Sequence, residues 1–143
     1  MNQPAHPITL EQVFFTRSVV IAIPEHAPDL SVSLPVPQNH IDVVPVEGQV
    51  GRYMATMGTK LNQEANPAAP YIVDIECFGI FVVDDTLTPE EAARGVTITA
   101  HSVLYGAIRE SAAWITSRQP YGQLLLGLSV LQPSAPKTEG DSP

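Results

Sequence analysis

The fold is decided by the stretch YIVDIECFGIFVV at residues Tyr71–Val83. Its side chains alternate between two kinds of surface, and a period of two is the pattern of a half-buried β-strand. One face carries apolar or aromatic residues and glycine, which predicts contact with a core: Tyr71, Val73, Ile75, Cys77, Gly79, Phe81 and Val83. The opposite face mixes apolar and acidic side chains, as binding surfaces often do: Ile72, Asp74, Glu76, Phe78 and Ile80.

Three further segments are predicted to be strands. Ile8–Ile23 is rich in β-branched and aromatic residues and ends before Pro24. Gln49–Asn62 alternates between apolar and polar positions, and a turn is expected to connect it to the strand at Tyr71. Gln123–Val130 is a short apolar run that we interpret as the last strand.

One principal helix is predicted between the last two strands. Thr88, Pro89 and Glu91 form a helix-start signature, and we expect Gly95 to interrupt this first turn. From about Thr99 to Arg118 apolar residues recur at spacings of three and four, which is the period of a helix with one buried face.

The segment between the first two predicted strands is unusual. Five of the 14 prolines lie between Pro24 and Pro45, and valines and leucines stand among them. Because proline has no N–H and a fixed φ, we expect an extended crossover without a regular hydrogen-bond ladder. Its apolar residues indicate that it packs on the domain or offers side chains to a partner.

The order of elements predicts an α+β fold: a four-stranded antiparallel sheet with a long proline-rich crossover after strand 1 and one principal helix packed on one face. We expect one domain over residues 1–132 and a disordered polar tail over residues 133–143. One helix covers four strands incompletely, so we also expect the chain to form oligomers.

Composition excludes several functional classes. Seven Lys and Arg against 15 Asp and Glu give a formal net charge of -8, which argues against a nucleic-acid partner. A single cysteine, Cys77, permits no intrachain disulfide and fits a reducing compartment. The first residues lack the features of a signal peptide, and no apolar run is long enough for a bilayer helix, so we expect a cytoplasmic protein without membrane insertion.

The sequence gives no support for an enzyme. The four histidines show no metal-ligand spacing, and there is neither a glycine-rich phosphate loop nor a strained nucleophile turn. Cys77 falls on the core face of its strand, where a thiol is inert. We therefore predict no catalytic residue, no metal and no cofactor.

The arrangement resembles the SecB family of bacterial export chaperones. The resemblance rests on the order of features: the hairpin ending in Gly79-Ile80-Phe81, the helix with Arg109-Glu110, and the closing strand with Gln123-Leu124 and Leu126. It runs without gaps from about Tyr105 to Ser129 and covers most of the ordered chain. No counterpart of the family's C-terminal helix is predicted after Val130.

The resemblance implies a homotetramer, built as a dimer of dimers, that holds unfolded precursor polypeptides in apolar grooves and passes them to the translocase ATPase SecA. The crossover and the mixed strand face supply the expected polypeptide-binding residues: Leu34, Val36, Val43, Val44, Val46, Phe78 and Ile80. The family's contact with the ATPase falls on Ile72 and Asp74, with Glu76 beside them. For the subunit interface we expect helix residues: Tyr105, Ile108, Arg109, Ala112 and Ile115.

Two alternatives remain open at this point. The first strand carries Arg17, Ser18 and Val20 where the family has acidic residues, which favours a SecB-like chaperone dedicated to one partner such as an antitoxin. A small-ligand-binding domain that uses the sheet and crossover as a pocket is the second alternative.

Overall fold

The computed structural model describes residues 6–131, which contain four β-strands and one α-helix. In chain order these are β1 (Ile8–Ala22), β2 (Gln38–Pro45), β3 (Arg52–Leu61), β4 (Tyr71–Val83) and α1 (Pro89–Thr116). The strands form one antiparallel sheet in the order β1-β4-β3-β2, and α1 packs on one of its faces. The predicted fold class is confirmed. The predicted tail over residues 133–143 lies outside the described residues.

The core lies between α1 and the face of β4 that the sequence predicts to be buried. Val73, Ile75, Cys77 and Phe81 are completely shielded from solvent. Helix residues spaced four apart meet them, and all of these are equally shielded: Val96, Ala100, Leu104, Ile108 and Ala112. Each large aliphatic side chain buried in this way contributes about 1.5–3 kcal/mol to folding.

The helix begins as predicted but is continuous through its first turns. Thr88 accepts a hydrogen bond from the Glu91 backbone N–H, and the Glu91 carboxylate accepts one from Thr88 N–H, which completes a capping box. The expected interruption at Gly95 is wrong. A Cβ atom at this position would lie 2.8 Å from Ile8 Cδ1, so glycine allows the helix to pass close to β1.

The crossover contains a strand that the sequence analysis missed. Prolines frame β2 instead of interrupting it, since Pro37 precedes the strand and Pro45 is its last residue. β2 pairs only with β3 among the described strands, and an edge strand tolerates a proline at its end. A tight connection follows, in which Gly48 and Gly51 both have φ of +76°. The predicted strand Gln49–Asn62 accordingly begins at Arg52.

The predicted last strand, Gln123–Val130, is wrong. This segment has no regular secondary structure and joins no strand of the sheet, and side chains of α1 hold its backbone instead. Leu124 N–H donates to Thr116 Oγ1 (2.7 Å), Arg109 Nε donates to Leu126 O (2.8 Å), and Tyr105 OH donates to Gly127 O (2.7 Å). The segment therefore runs back along α1, and the side chain of Leu126 is buried in the core.

Candidate functional site

The sheet face turned away from α1 is covered by no helix or strand of the described residues, and we call it the open face. Residues paired directly across neighbouring strands point to the same side of a sheet, so the register identifies its members. Its apolar side chains come from all four strands: Phe14, Val19 and Ile21 of β1, Val44 of β2, Met54 of β3, and Ile72, Phe78, Ile80 and Val82 of β4.

One apolar patch crosses all four strands at one end of the open face. Val44 pairs with Met54, which pairs with Ile80, and the adjacent row brings Phe14 opposite Phe78. Phe14 and Val44, on the two edge strands, are 38% and 40% exposed, and the central members are half-buried. With strands about 4.8 Å apart, the patch is about 14 Å wide, enough for an extended polypeptide segment.

A second apolar cluster lies toward the other end of the open face. Ile72 pairs with Ile21, and Val19 lies next to them on β1. Ile21 is 47% exposed, although it belongs to a strand of the sheet. Large apolar side chains left this accessible on a sheet face are consistent with a binding surface.

Charged residues separate the two apolar regions. Arg17 Nε lies 3.0 Å from Asp74 Oδ1, and Arg17 Nη2 lies 3.7 Å from Glu76 Oε2. Thr16 Oγ1 donates a hydrogen bond to Glu76 Oε1 (3.0 Å). The residues expected to contact the ATPase, Ile72, Asp74 and Glu76, thus share the open face, but both acids are engaged by β1.

The structure divides the residues expected to bind polypeptide. Val44, Phe78 and Ile80 lie together on the open face. Val43 points to the opposite side, where it packs against the core, because neighbouring residues of a strand face in opposite directions. The others, Leu34, Val36 and Val46, lie in the connections on either side of β2.

The crossover passes the β3–β4 turn and forms a polar cleft with it. Ala27 N–H donates to Pro67 O (2.9 Å), which ties the crossover to this turn. The cleft has a volume of about 370 Å³ and lies between the crossover, Lys60 and the turn. Leu34 and Val36 are 60% and 77% exposed, so both side chains remain accessible at this end of the sheet.

The residues expected at a subunit interface are mostly internal. Tyr105, Ile108 and Ala112 are at most 5% exposed within the single chain, because they form the side of α1 that packs on the sheet and the closing segment. Arg109 and Ile115 are partly accessible. These two are the members of the set that another subunit could contact.

Sequence reasoning missed Phe14 and Met54, which complete the apolar patch. The position of Met54 could have been predicted, because it lies between Tyr53 and Ala55 on a regular strand and therefore faces the side opposite to theirs. The position of Phe14 could not, because register shifts between Leu10 and Gln12 and between Phe15 and Arg17 break the period-two pattern of β1.

The single cysteine of the chain lies away from the open face. Cys77 is buried on the helix side of β4, where burial, with a smaller contribution from the Glu76 charge, raises the pKa of its thiol to about 11. Over residues 6–131, no group of three or more His, Cys, Asp or Glu side chains is placed to hold a metal ion. No helix in the same range is long and apolar enough to cross a membrane.

Comparison of the sequence with known proteins identifies SecB relatives. The chain is 26% identical over 113 residues to the protein-export protein SecB of Anaplasma phagocytophilum, an alignment that covers 76% of this chain and 72% of that protein. It is 22% identical over 111 residues to SecB of Anaplasma marginale, of which it spans 63%, somewhat less than two thirds. No family model matches the sequence.

Solved structures show the same fold at lower identity. A SecB-like chaperone of Mycobacterium tuberculosis, in complex with a peptide from an antitoxin, superimposes with a TM-score of 0.63 at 17% identity, covering 88% of this chain and 93% of that one. A protein of unknown function from Streptococcus agalactiae gives a TM-score of 0.51 at 8% identity, covering 87% and 100%.

Proposed function

Because this chain is a divergent member of the SecB family, we propose that it is an ATP-independent holdase that binds unfolded or precursor polypeptides and passes them to the export translocase ATPase. The observation that carries the proposal is the apolar patch of the open face, where Val44, Met54, Ile80, Phe14 and Phe78 meet across four strands. The activity needs neither a cofactor nor a catalytic residue.

Binding would draw its free energy from apolar burial. Removing apolar surface from water contributes about 25 cal/mol per Å², and half-exposed side chains such as Val44 still have surface to bury. An extended client could also pair with the outer edge of β2, which has no strand neighbour among the described residues. Leu34, Val36 and Val46 would then extend the contact along the connections around β2.

The proposal includes assembly and location. We propose a homotetramer in the cytoplasm, with Arg109 and Ile115 of α1 at a contact between subunits. Sedimentation of the purified full chain tests the assembly, and a species with the mass of one chain would contradict it.

Light scattering from a chemically unfolded client, diluted into buffer without nucleotide, tests the holdase activity. We expect the wild-type chain to suppress aggregation, and Val44→Ser to reduce the effect by removing an apolar side chain from the patch. The matched control is Val50→Ser, because Val50 is fully exposed at the β2–β3 connection, off the sheet face. Equal suppression by both variants would argue against the patch, and no suppression by wild type would argue against a holdase.

A dedicated chaperone is the second candidate. It is favoured by the M. tuberculosis chaperone, which holds an antitoxin peptide, and by the engagement of Asp74 and Glu76 by Arg17. Competition between two unrelated unfolded clients discriminates the candidates. A general holdase binds both with similar affinity, whereas a dedicated chaperone binds neither at micromolar concentration.

A further inference from the structure

We propose that Arg17 determines the specificity of the open face, so that the face accepts an extended segment of uncharged apolar side chains and disfavours one carrying lysine or arginine. The inference rests on the proposed polypeptide-binding function and adds the chemical class of the bound segment.

Arg17 and Asp74 form an ion pair between the two apolar regions of the open face, on the strands β1 and β4. Their Nε and Oδ1 atoms, 3.0 Å apart, are both shielded from solvent, and neither has a hydrogen-bond partner among the described residues. Separation would leave both shielded atoms without their nearest opposite charge, at a cost that rises as water is excluded by a bound segment. A bound segment would therefore preserve the pair.

A β-bulge places Arg17 at this position. Phe15 pairs with Cys77, and the register then shifts so that Arg17, instead of Thr16, lies opposite Glu76. Thr16 remains close enough to donate its hydroxyl to the same carboxylate. The bulge thus directs two successive side chains of β1 toward Glu76, which reduces the capacity of Glu76 to bind a new cation.

The charges of the neighbouring strands are balanced in the same way. At one end of the face Arg52 Nη2 lies 2.5 Å from Glu11 Oε2. Beside the Arg17–Asp74 pair, Lys60 of β3 lies opposite Asp74 in the strand register. Arg17 and Arg52 thus form ion pairs with Asp74, Glu76 and Glu11, and Asp42 lies apart on the edge strand β2.

Apolar contacts on both sides of the charged residues favour an uncharged ligand. Phe14 and Phe78 lie on one side of Arg17, and Val19 and Ile21 follow it along β1. A lysine side chain docked between them would meet the Arg17 guanidinium, and two like charges in a partly dehydrated contact repel. An apolar side chain would instead bury the surfaces on either side.

The test compares two synthetic peptides, one of leucine, valine and serine, and a matched one in which two serines are replaced by lysines. Their affinities are measured by fluorescence anisotropy at low and high salt, with the full chain, Arg17→Gln and Arg94→Gln. The last variant is the matched control, because Arg94 is an exposed residue of α1 and its loss changes the net charge equally. A fourth protein, Arg17→Gln with Asp74→Asn, removes one of the released carboxylates.

We expect wild type and Arg94→Gln to prefer the apolar peptide. Arg17→Gln is expected to bind the lysine peptide about tenfold more tightly at low salt, which corresponds to about 1.4 kcal/mol, and high salt should remove the gain. The double variant, Arg17→Gln with Asp74→Asn, should lose most of this gain in affinity for the lysine peptide. An unchanged peptide preference in Arg17→Gln overturns the role of Arg17 alone, whereas a wild type that binds neither peptide overturns polypeptide binding and the role of Arg17 with it.

Discussion

Phe14 of β1 and Phe78 of β4 stack across the open face, with ring centroids 5.6 Å apart and an interplanar angle of 19°. Stacking holds both rings in one orientation before any ligand arrives. A patch ordered in this way loses less side-chain entropy on binding than one formed by independent rings. The pair therefore combines a structural role in the strand pairing with the accessible surface that the proposed function needs.

The stack predicts energetic coupling between the two rings. In a double-mutant cycle, Phe14→Ala and Phe78→Ala should couple by about 0.5–1.5 kcal/mol, because aromatic pairs contribute this much beyond area burial. Urea unfolding of the single and double variants measures the coupling. Phe15→Ala supplies the control, since Phe15 is similarly exposed but lies on the helix side of β1. Equal coupling of Phe78 to both rings would contradict the assignment of faces.

Close packing of α1 on β4 predicts opposite effects for the same substitution at two glycines. A Cβ atom at Gly79 would lie 2.7 Å from Phe81 Cε2 and 3.1 Å from Leu104 Cδ2, so Gly79→Ala should destabilise by about 1–3 kcal/mol. At Gly106, exposed in the middle of α1, a Cβ atom meets nothing within 4 Å. There Gly106→Ala should stabilise by about 0.5–1 kcal/mol. Thermal unfolding measures both, and a neutral result at Gly79 would show that the interface can relax.

The central strand was predictable from sequence because it is regular and has neighbours on both sides. Every residue of β4 faces the side that its alternation predicts, which also identified Phe78, Ile80 and the acids of the open face. The edge strands were harder. Two bulges in β1 hide the period-two pattern, and the prolines that frame β2 resemble those of an irregular crossover.

The closing segment shows a different limit of sequence reasoning. Gln123–Val130 has the apolar content of a strand. The strand prediction was wrong because it assumed that an apolar segment of this kind pairs with the backbone of another strand. Its backbone instead bonds to side chains of α1, including Tyr105 and Arg109. The fixed positions of those side chains depend on tertiary packing, which local propensity does not contain.

The attachment of the closing segment predicts a specific role for Thr116. Its buried hydroxyl donates to Ala112 O (2.6 Å) and accepts from Leu124 N–H (2.7 Å). Thr116→Val keeps the shape but leaves the Leu124 N–H without this acceptor, at a cost of about 1–3 kcal/mol. Hydrogen exchange at the Leu124 amide should accelerate accordingly.

Thr97→Val is the matched control for this effect. The Thr97 hydroxyl donates to Ala93 O (2.8 Å) within the exposed part of the helix and holds no other segment. Its replacement should change the free energy of unfolding by less than about 0.5 kcal/mol, as is usual for a substitution near the surface. Similar losses at both positions would mean that the Thr116–Leu124 bond is energetically unimportant.

The buried thiol of Cys77 predicts how stability changes at alkaline pH. Its pKa is raised from 9.0 in the unfolded reference to about 11 in the folded chain, chiefly by burial. Above pH 9 the unfolded chain releases this proton while the folded chain keeps it, so the unfolded state binds fewer protons and the free energy of unfolding falls. The slope approaches about 1.4 kcal/mol per pH unit between the two pKa values.

Urea unfolding of wild type and Cys77→Ala at pH 8, 9 and 10 measures this contribution. Burial also raises the pKa of Tyr71, which destabilises in the same direction, but Tyr71 is present in both proteins and cancels in the difference. The alanine variant is expected to start less stable, because it leaves a small cavity against Leu104, and to lose less stability as the pH rises. Parallel pH profiles would mean that the thiol ionises equally in both states, which is incompatible with its burial beneath α1.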